Sequence, residues 1–328
     1  MKWRVTSGEW RVPQIQVLHV RRALCALGVL YVNSFLFVSP APAQNQNTSG
    51  RPPITGIHHV RMYASNLEDT AAFYTKLFDF PKGGGGCQGV PAPCFPVSVS
   101  PVQQIELVKA PSPAPKSWIA EIAFATSSVA QMRNYLTAKG VPASKILIDA
   151  SGAQHFELSD PEGNAIAFVQ PPLKAVDYET SASQLSTRIL HAGFVVKDLE
   201  RMKKFYVDTL GFRLYWYGGF KDEDVDWYEI QVPDGNSWIE FMLNIPANAD
   251  HKELGVQNHF SLGVKSATEA AARLRVNGAA TFDGPEIGRD GKNALDIYDP
   301  DFSRVEVMEF TPTKEPCCHP YTSEHPKP

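Results

Sequence analysis

From Ile54 onward two hydrophobic rhythms alternate along the chain: short runs with an apolar residue at every second place, and longer runs with apolar residues three and four apart. "EIAFATSSVAQMRNYLTAKG" (Glu121 to Gly140) and "HFSLGVKSATEAAARLRVNG" (His259 to Gly278) show both in the same order. Each predicts a strand, a Ser-containing turn and an amphipathic helix closed by a glycine suited to a left-handed C-terminal cap. A second pair is "HVRMYASNLEDTAAFYTKLFDF" (His59 to Phe80) and "HAGFVVKDLERMKKFYVDTLGF" (His191 to Phe212), each with a tyrosine 15 residues after the histidine. Here Ser65 or Asn66 caps a helix carrying Phe73, Tyr74 and Leu77, and Asp198 caps one carrying Met202, Phe205 and Leu210. Short strands follow, such as "RLYWYGGF", "DWYEIQV" and "SWIEFML" after the third helix. Asp-Pro turns at Asp160 and Asp299 precede the closing strands "NAIAFVQ" and "RVEVMEF".

The rhythm therefore repeats four times, as βαβββ units at roughly Ile54 to Ala110, Ser117 to Pro172, Arg188 to Asn244 and Gln257 to Phe310, an α+β fold. Paired in order, they make an N-terminal domain (54–172) and a C-terminal domain (188–310), joined by a linker at 173–187. The 328-residue length suits two domains. Ahead of them, Arg21 and Arg22 precede the apolar run Ala23 to Val38, and Ala41-Pro42-Ala43 fits a small-x-small cleavage pattern. Residues 1–43 read as a secretory signal peptide, too short in its apolar part for a membrane span, and 44–53 as a polar linker. The expectation is an exported protein with no stable membrane insertion after cleavage. Residues 311–328 form a proline-rich tail expected to run extended over the surface.

Composition narrows the partners. A net charge of -4 gives no reason to expect nucleic acid or an anionic membrane, so a small-molecule substrate is the first expectation. Export permits disulfides. Cys87 and Cys94 flank a Gly/Pro-rich loop that they can close, or remain free thiols. Adjacent Cys317 and Cys318 can cross-link the tail, pair with each other, or bind metal with His319.

Candidate chemistry comes from comparing equivalent positions in the units. The third unit opens with His191 and carries Glu240 in its last strand; the fourth opens with His259 and carries Glu306. Glu240 lies between Ile239 and Phe241, and Glu306 between Val305 and Val307, so each carboxylate faces away from its apolar neighbours. Two imidazoles and two carboxylates on one concave sheet are a donor set for a divalent metal. The first two units offer His59, Glu106, Glu121 and Ala167 at the matching places, a set lacking one histidine and one glutamate. His58 and His155 fall outside the pattern and read as ordinary polar residues. Trp216, Tyr217, Phe220, Trp227, Tyr228 and Trp238 cluster in the third unit, where they line the concave side or fill the core.

The His-to-Phe-Tyr phrase, the His-strand-helix-Gly phrase and the Asp-Pro ending followed by Glu306 together resemble the vicinal oxygen chelate superfamily of glyoxalases, bleomycin-resistance proteins and extradiol dioxygenases. The resemblance implies two glyoxalase-like cupped-sheet domains. It implies metal ligation by His191, Glu240, His259 and Glu306, with Ni, Zn, Co, Mn or Fe as the metal. It further implies a lyase or isomerase in which Glu306, then Glu240, is the candidate general base. Extradiol ring cleavage through His191, His259 and Glu306 and non-catalytic small-molecule binding are the alternatives. The extradiol closing signature is imperfect: Tyr298 directly precedes Asp299, and Phe302 stands where a Gly or Pro belongs.

Overall fold

The computed structural model describes residues 50–328 apart from 85, 91–92, 150 and 173–179. The expected signal peptide, most of the linker after it and residues 173–179 of the second linker lie outside the described residues. The first unit runs β1 (Ile54–Ala64), α1 (Leu67–Leu77), β2 (Cys94–Ser100) and β3 (Gln103–Lys109). Its remaining expected strand is reduced to one bridge between Lys82 and Val97. The second runs β4 (Ile119–Thr126), α2 (Val129–Ala138), β5 (Leu147–Ile148), β6 (Gln154–Ser159) and β7 (Ala165–Gln170). The third has β8 (Ile189–Val195), α3 (Leu199–Lys203), which continues as a π-helical turn over Lys204–Thr209, then β9 (Arg213–Gly218), β10 (Trp227–Gln231) and β11 (Trp238–Met242). A helix not anticipated from the sequence, α4 (His251–Gln257), leads into the fourth: β12 (His259–Val264), α5 (Ala267–Val276), β13 (Asp283–Ile287), β14 (Asn293–Tyr298) and β15 (Arg304–Glu309).

Units one and two make a seven-stranded sheet in the order β2-β3-β1-β4-β7-β6-β5, and units three and four an eight-stranded one, β13-β14-β15-β12-β8-β11-β10-β9. In each, the two units join through their first strands, β1 against β4 and β8 against β12, both antiparallel. The result is two curled half-barrel sheets, an α+β architecture of two glyoxalase-type domains.

Helix starts follow local chemistry. Asn66 Oδ1 accepts from the backbone N–H groups of Glu68 and Asp69, Asp198 from that of Arg201, and Ser266 from that of Glu269. The apolar faces of both sheets and their helices merge into one core reaching from Ile54 to Val307. Ile239, Phe241, Val305 and Val307 lie fully inside it. Each such side chain contributes about 1.5–3 kcal/mol on burial. A one-residue slip would exchange them for Glu240 and Glu306, so the same packing that builds the core holds both carboxylates on the concave side.

One of the two repeated tyrosines makes a hydrogen bond between the domains. Tyr206 donates to Asp160 of the second unit, hydroxyl to Oδ2 at 3.2 Å. Tyr74, its counterpart, is fully buried, and its hydroxyl has no hydrogen-bond partner.

The tail is irregular and almost entirely exposed or half-exposed, running over the surface across the two edges of the eight-stranded sheet. On the β13–β14 side, the N–H groups of Thr313 and Cys317 donate to the carbonyls of Gly291 and Arg289. On the β9–β10 side, Trp216 Nε1 donates to His319 O, and Gln231 Nε2 to Glu324 O. Tyr321 then packs on Tyr215 and donates its hydroxyl to Asp290. Each aromatic ring of the tail packs on another: His319 on Tyr217, and Tyr321 and His325 on Tyr215. Cys87 pairs with Cys94, and Cys317 with Cys318.

Candidate metal centre

Four strands bring the C-terminal residues together. Gly193 of β8 lies opposite His259 of β12 on one side and beside Glu240 of β11 on the other. Ser261 pairs with His191 and with Glu306 of β15. Their polar atoms converge: His191 Nε2 stands 3.0 Å from His259 Nε2, 3.5 Å from Glu240 Oε2 and 3.4 Å from Glu306 Oε2. His259 Nε2 is 3.1 Å from Glu240 Oε2.

Protonation suits ligation. Burial first, then the neighbouring imidazole, Lys292 and Arg304, hold His191 well below the usual histidine range. Burial, then Arg304, lowers His259 as well, against an opposing pull from Glu240. The Gln257 carbonyl only accepts, so His259 Nδ1, 3.1 Å away, carries the ring proton and Nε2 presents a lone pair inward. Glu306 Oε2 is buried without a hydrogen-bond partner.

Among these atoms only His191 Nε2 can carry a proton to donate, toward His259 Nε2, so two carboxylates and two imidazoles are short of donors in a buried cluster, an arrangement that a cation relieves. Metal bonds of about 2.0–2.2 Å would set neighbouring donor atoms roughly 3.0–3.5 Å apart, matching the separations above. The residues therefore fit a divalent metal, His191, His259 and Glu306 as a compact trio and Glu240 as the fourth.

Two adjoining cavities of about 140 and 340 Å³ open on this cluster. Trp227, Arg289, Arg304 and Glu306 line both, while Trp216, Glu229 and Glu240 line the smaller. The aromatic cluster therefore divides. Trp216 and Trp227 wall the site, Phe220 stands at the rim of the larger cavity, and Trp238 is buried under the His191 ring at 4.8 Å between centroids. Tyr217 packs against Tyr228, which rests on the core, and takes His319 from the tail on its ring. A larger cavity of about 520 Å³, lined by Lys116, Glu162, Lys197 and His251, brings together no cluster of metal-ligating side chains among the described residues. Asp222, Cys317 and Cys318 also gather, but a disulfide offers no thiolate donor.

Three residues around the site had escaped notice in the sequence. Arg304, two places from Glu306 on the same strand face, reaches Asp296 at 3.4 Å and Glu306 at 4.0 Å. Lys292 is fully buried, its ammonium over the rings of Trp238, Tyr321 and Tyr215 at 4.3, 4.9 and 5.0 Å. Glu229 lies opposite Glu240 on β10, and burial pushes its carboxyl well above the usual range.

The N-terminal half is arranged differently. His59, Glu106 and Glu121 come together, but Arg61 lies among them, while Ala167 pairs with Ala123 in the register that Glu306 and Ser261 hold in the other half. His58 and His155, read from the sequence as ordinary polar residues, lie inside the fold. Both are buried, and His58 Nδ1 is 3.0 Å from His59 Nδ1. Gly89, two residues after Cys87, brings its backbone against His155: a Cβ there would meet its Nε2 at 2.4 Å.

The fold, the duplicated units and the His/Glu cluster define a class, and sequence comparison agrees with it. The chain belongs to the Glyoxalase/Bleomycin resistance protein/Dioxygenase superfamily, which it matches over residues 56–168 and 188–307. Among curated relatives it is similar to a lactoylglutathione lyase of Haemophilus influenzae, at 32% identity over 39% of this chain and 96% of that protein. It is also similar to a probable chloroplastic lactoylglutathione lyase of Arabidopsis thaliana, at 26% identity over 40% of this chain; that match spans only 38% of the Arabidopsis protein's length. Among solved structures, homoprotocatechuate 2,3-dioxygenase of Brevibacterium fuscum in complex with 3,4-dihydroxyphenylacetate superposes with a TM-score of 0.59 at 15% identity, covering 80% of this chain and 82% of that one. A variant of the same dioxygenase gives 0.61 at 16% identity, covering 84% and 75%. At such identities the superpositions establish the fold.

Proposed function

We propose that the chain is a divalent-metal-dependent, glyoxalase-like lyase or isomerase acting on a small substrate with neighbouring oxygens. The observation that carries this reading is that two imidazoles and two carboxylates converge in the C-terminal cup, rather than two and one. His191, Glu240, His259 and Glu306 hold Ni, Zn, Co, Mn or Fe. Bound there, the cation supplies Lewis-acid polarisation of the substrate's oxygens. Glu306 is the candidate base for a proton next to a carbonyl, since it lines both cavities and keeps one carboxylate oxygen without a hydrogen-bond partner. Glu240, on the wall of the smaller cavity, is the second candidate. Trp216 and Trp227 bound the substrate's space, and Arg304 beside Glu306 keeps its carboxylate oriented. The two relatives bearing the lyase name support this assignment. With export from the cell as proposed from residues 1–43, the substrate is something other than a glutathione adduct, because glutathione is mainly cytosolic.

One observation favours extradiol ring cleavage as a second reading: His191, His259 and Glu306 form a two-histidine, one-carboxylate trio of the kind that leaves positions open on iron. Purified protein with its native metal separates the readings. Exchange of a substrate carbon-bound hydrogen with solvent, lost in Glu306→Gln, is expected for the lyase or isomerase; dioxygen uptake with catechols would replace it by the second reading. Absence of any stoichiometric metal would sink both and leave small-molecule binding.

A further inference from the structure

We propose that the N-terminal cup is a latent divalent-metal site, formed by His59, Glu106 and Glu121, whose cation is the chain's own Arg61 guanidinium. The argument rests on register. In the C-terminal cup Gly193 pairs with His259 across β8 and β12 and with Glu240 across β8 and β11. In the N-terminal cup Arg61 pairs with Glu121 across β1 and β4 and with Glu106 across β1 and β3. Arg61 thus stands at the position of Gly193, two residues after the first histidine and on the same strand face. That position has no room for a side chain in the C-terminal cup, where a Cβ would lie 2.3 Å from His259 Cε1.

The guanidinium does at the centre of its cup what an ion would do. Its Nε donates to Glu106 Oε2 at 2.9 Å, Nη2 lies 2.8 Å from the same oxygen, and Nη1 lies 2.8 Å from Glu121 Oε1. Around it, His59 Nε2 keeps 3.5 Å to Glu106 and 3.1 Å to Glu121, close to the 3.5 Å between His191 and Glu240. Arg61, Glu106 and Glu121 are all buried. Gln88, from the loop between Cys87 and Cys94, closes the arrangement by accepting from Arg61 at its carbonyl and donating its N–H to Glu106 Oε1. Each of the three guanidinium nitrogens lies within 2.9 Å of a protein oxygen, so the cup neither needs nor admits a metal while Arg61 is present.

The test uses the full chain in a His259→Ala/Glu306→Ala background, which disables the C-terminal cluster, with Zn(II) or Ni(II) added and bound metal counted after desalting. With Arg61 intact this background is expected to retain no metal in the N-terminal cup. Arg61→Ala is expected to add one equivalent, and His59→Ala on top of it to remove that equivalent. A folded Arg61→Ala protein that gains no metal would overturn the proposal, as would an Arg61-intact background that already holds an equivalent dependent on His59. Where Arg61→Ala folds poorly, added metal should raise its melting temperature more than that of the background; an equal or absent rise also overturns the proposal. The readout is stoichiometry in a chain without the C-terminal site, so its outcome is separate from that of the proposed activity.

Discussion

Gly193 lies directly across the β8–β12 pair from His259, and a Cβ built on it would come within 2.3 Å of His259 Cε1 and 2.7 Å of Nδ1. The glycine is the space in which the imidazole turns toward His191 and Glu240. Gly193→Ala should rotate or displace that ring and weaken divalent-metal binding on the order of 10–100-fold, the scale seen when ligand orientation is lost. Competition against a chromophoric chelator measures this directly. Unchanged affinity would mean that His259 is not held where the structure has it.

Removing the metal should cost stability. Without it, two carboxylates and two imidazoles face one another in a buried cluster. A ligand present at about 100 times its dissociation constant stabilises the folded state by about 2.7 kcal/mol. Calorimetry with and without a chelator should show a higher melting temperature in the metal-loaded protein, an increment that His259→Ala abolishes. An identical transition in both states would count against a resident metal.

Much of this was legible in the sequence, and the parts that were not have a common cause. Alternation along "WIEFM" and "RVEVME" told which way Glu240 and Glu306 point, because the core must take Ile239, Phe241, Val305 and Val307. Arg61 and Gly193 carried a readable signal too, lying two places from a histidine on the same strand face, but a search for ligands passes over a residue that excludes one. His155 is buried where the backbone at Gly89, distant in sequence, comes against it, and the tail's seat on Trp216, Tyr215 and Asp290 depends on two distant sheet edges meeting. Such contacts are set by tertiary structure and leave no period in the chain.

The duplicated tyrosines should respond differently to loss of a hydroxyl. Tyr206 donates to Asp160 in a buried interface between domains, so Tyr206→Phe removes a partner from a buried carboxylate and should cost about 1–3 kcal/mol. The Tyr74 hydroxyl is buried without a partner, so Tyr74→Phe should be neutral or slightly stabilising. Urea unfolding of the two variants compares them. Equal losses would show that the interface does not discriminate between the copies.

Asp299, at the turn before β15, supplies a pH dependence distinct from the metal site. Burial, with a smaller push from Asp301, raises its carboxyl from 3.8 to about 7, although the N–H groups of Asp301 and Ser303 oppose the shift by donating to its Oδ1. The folded protein therefore holds this proton more tightly than the unfolded chain. Its contribution is fully present below about pH 4 and is lost as pH rises through about 7. Asp299→Asn keeps an acceptor oxygen for both N–H groups and removes the titration, so its unfolding free energy should fall less steeply than wild type between about pH 4 and 7. Denaturant titrations across that window decide the matter: parallel curves for the two proteins would mean that Asp299 is ionised in the fold at an ordinary carboxylate pKa.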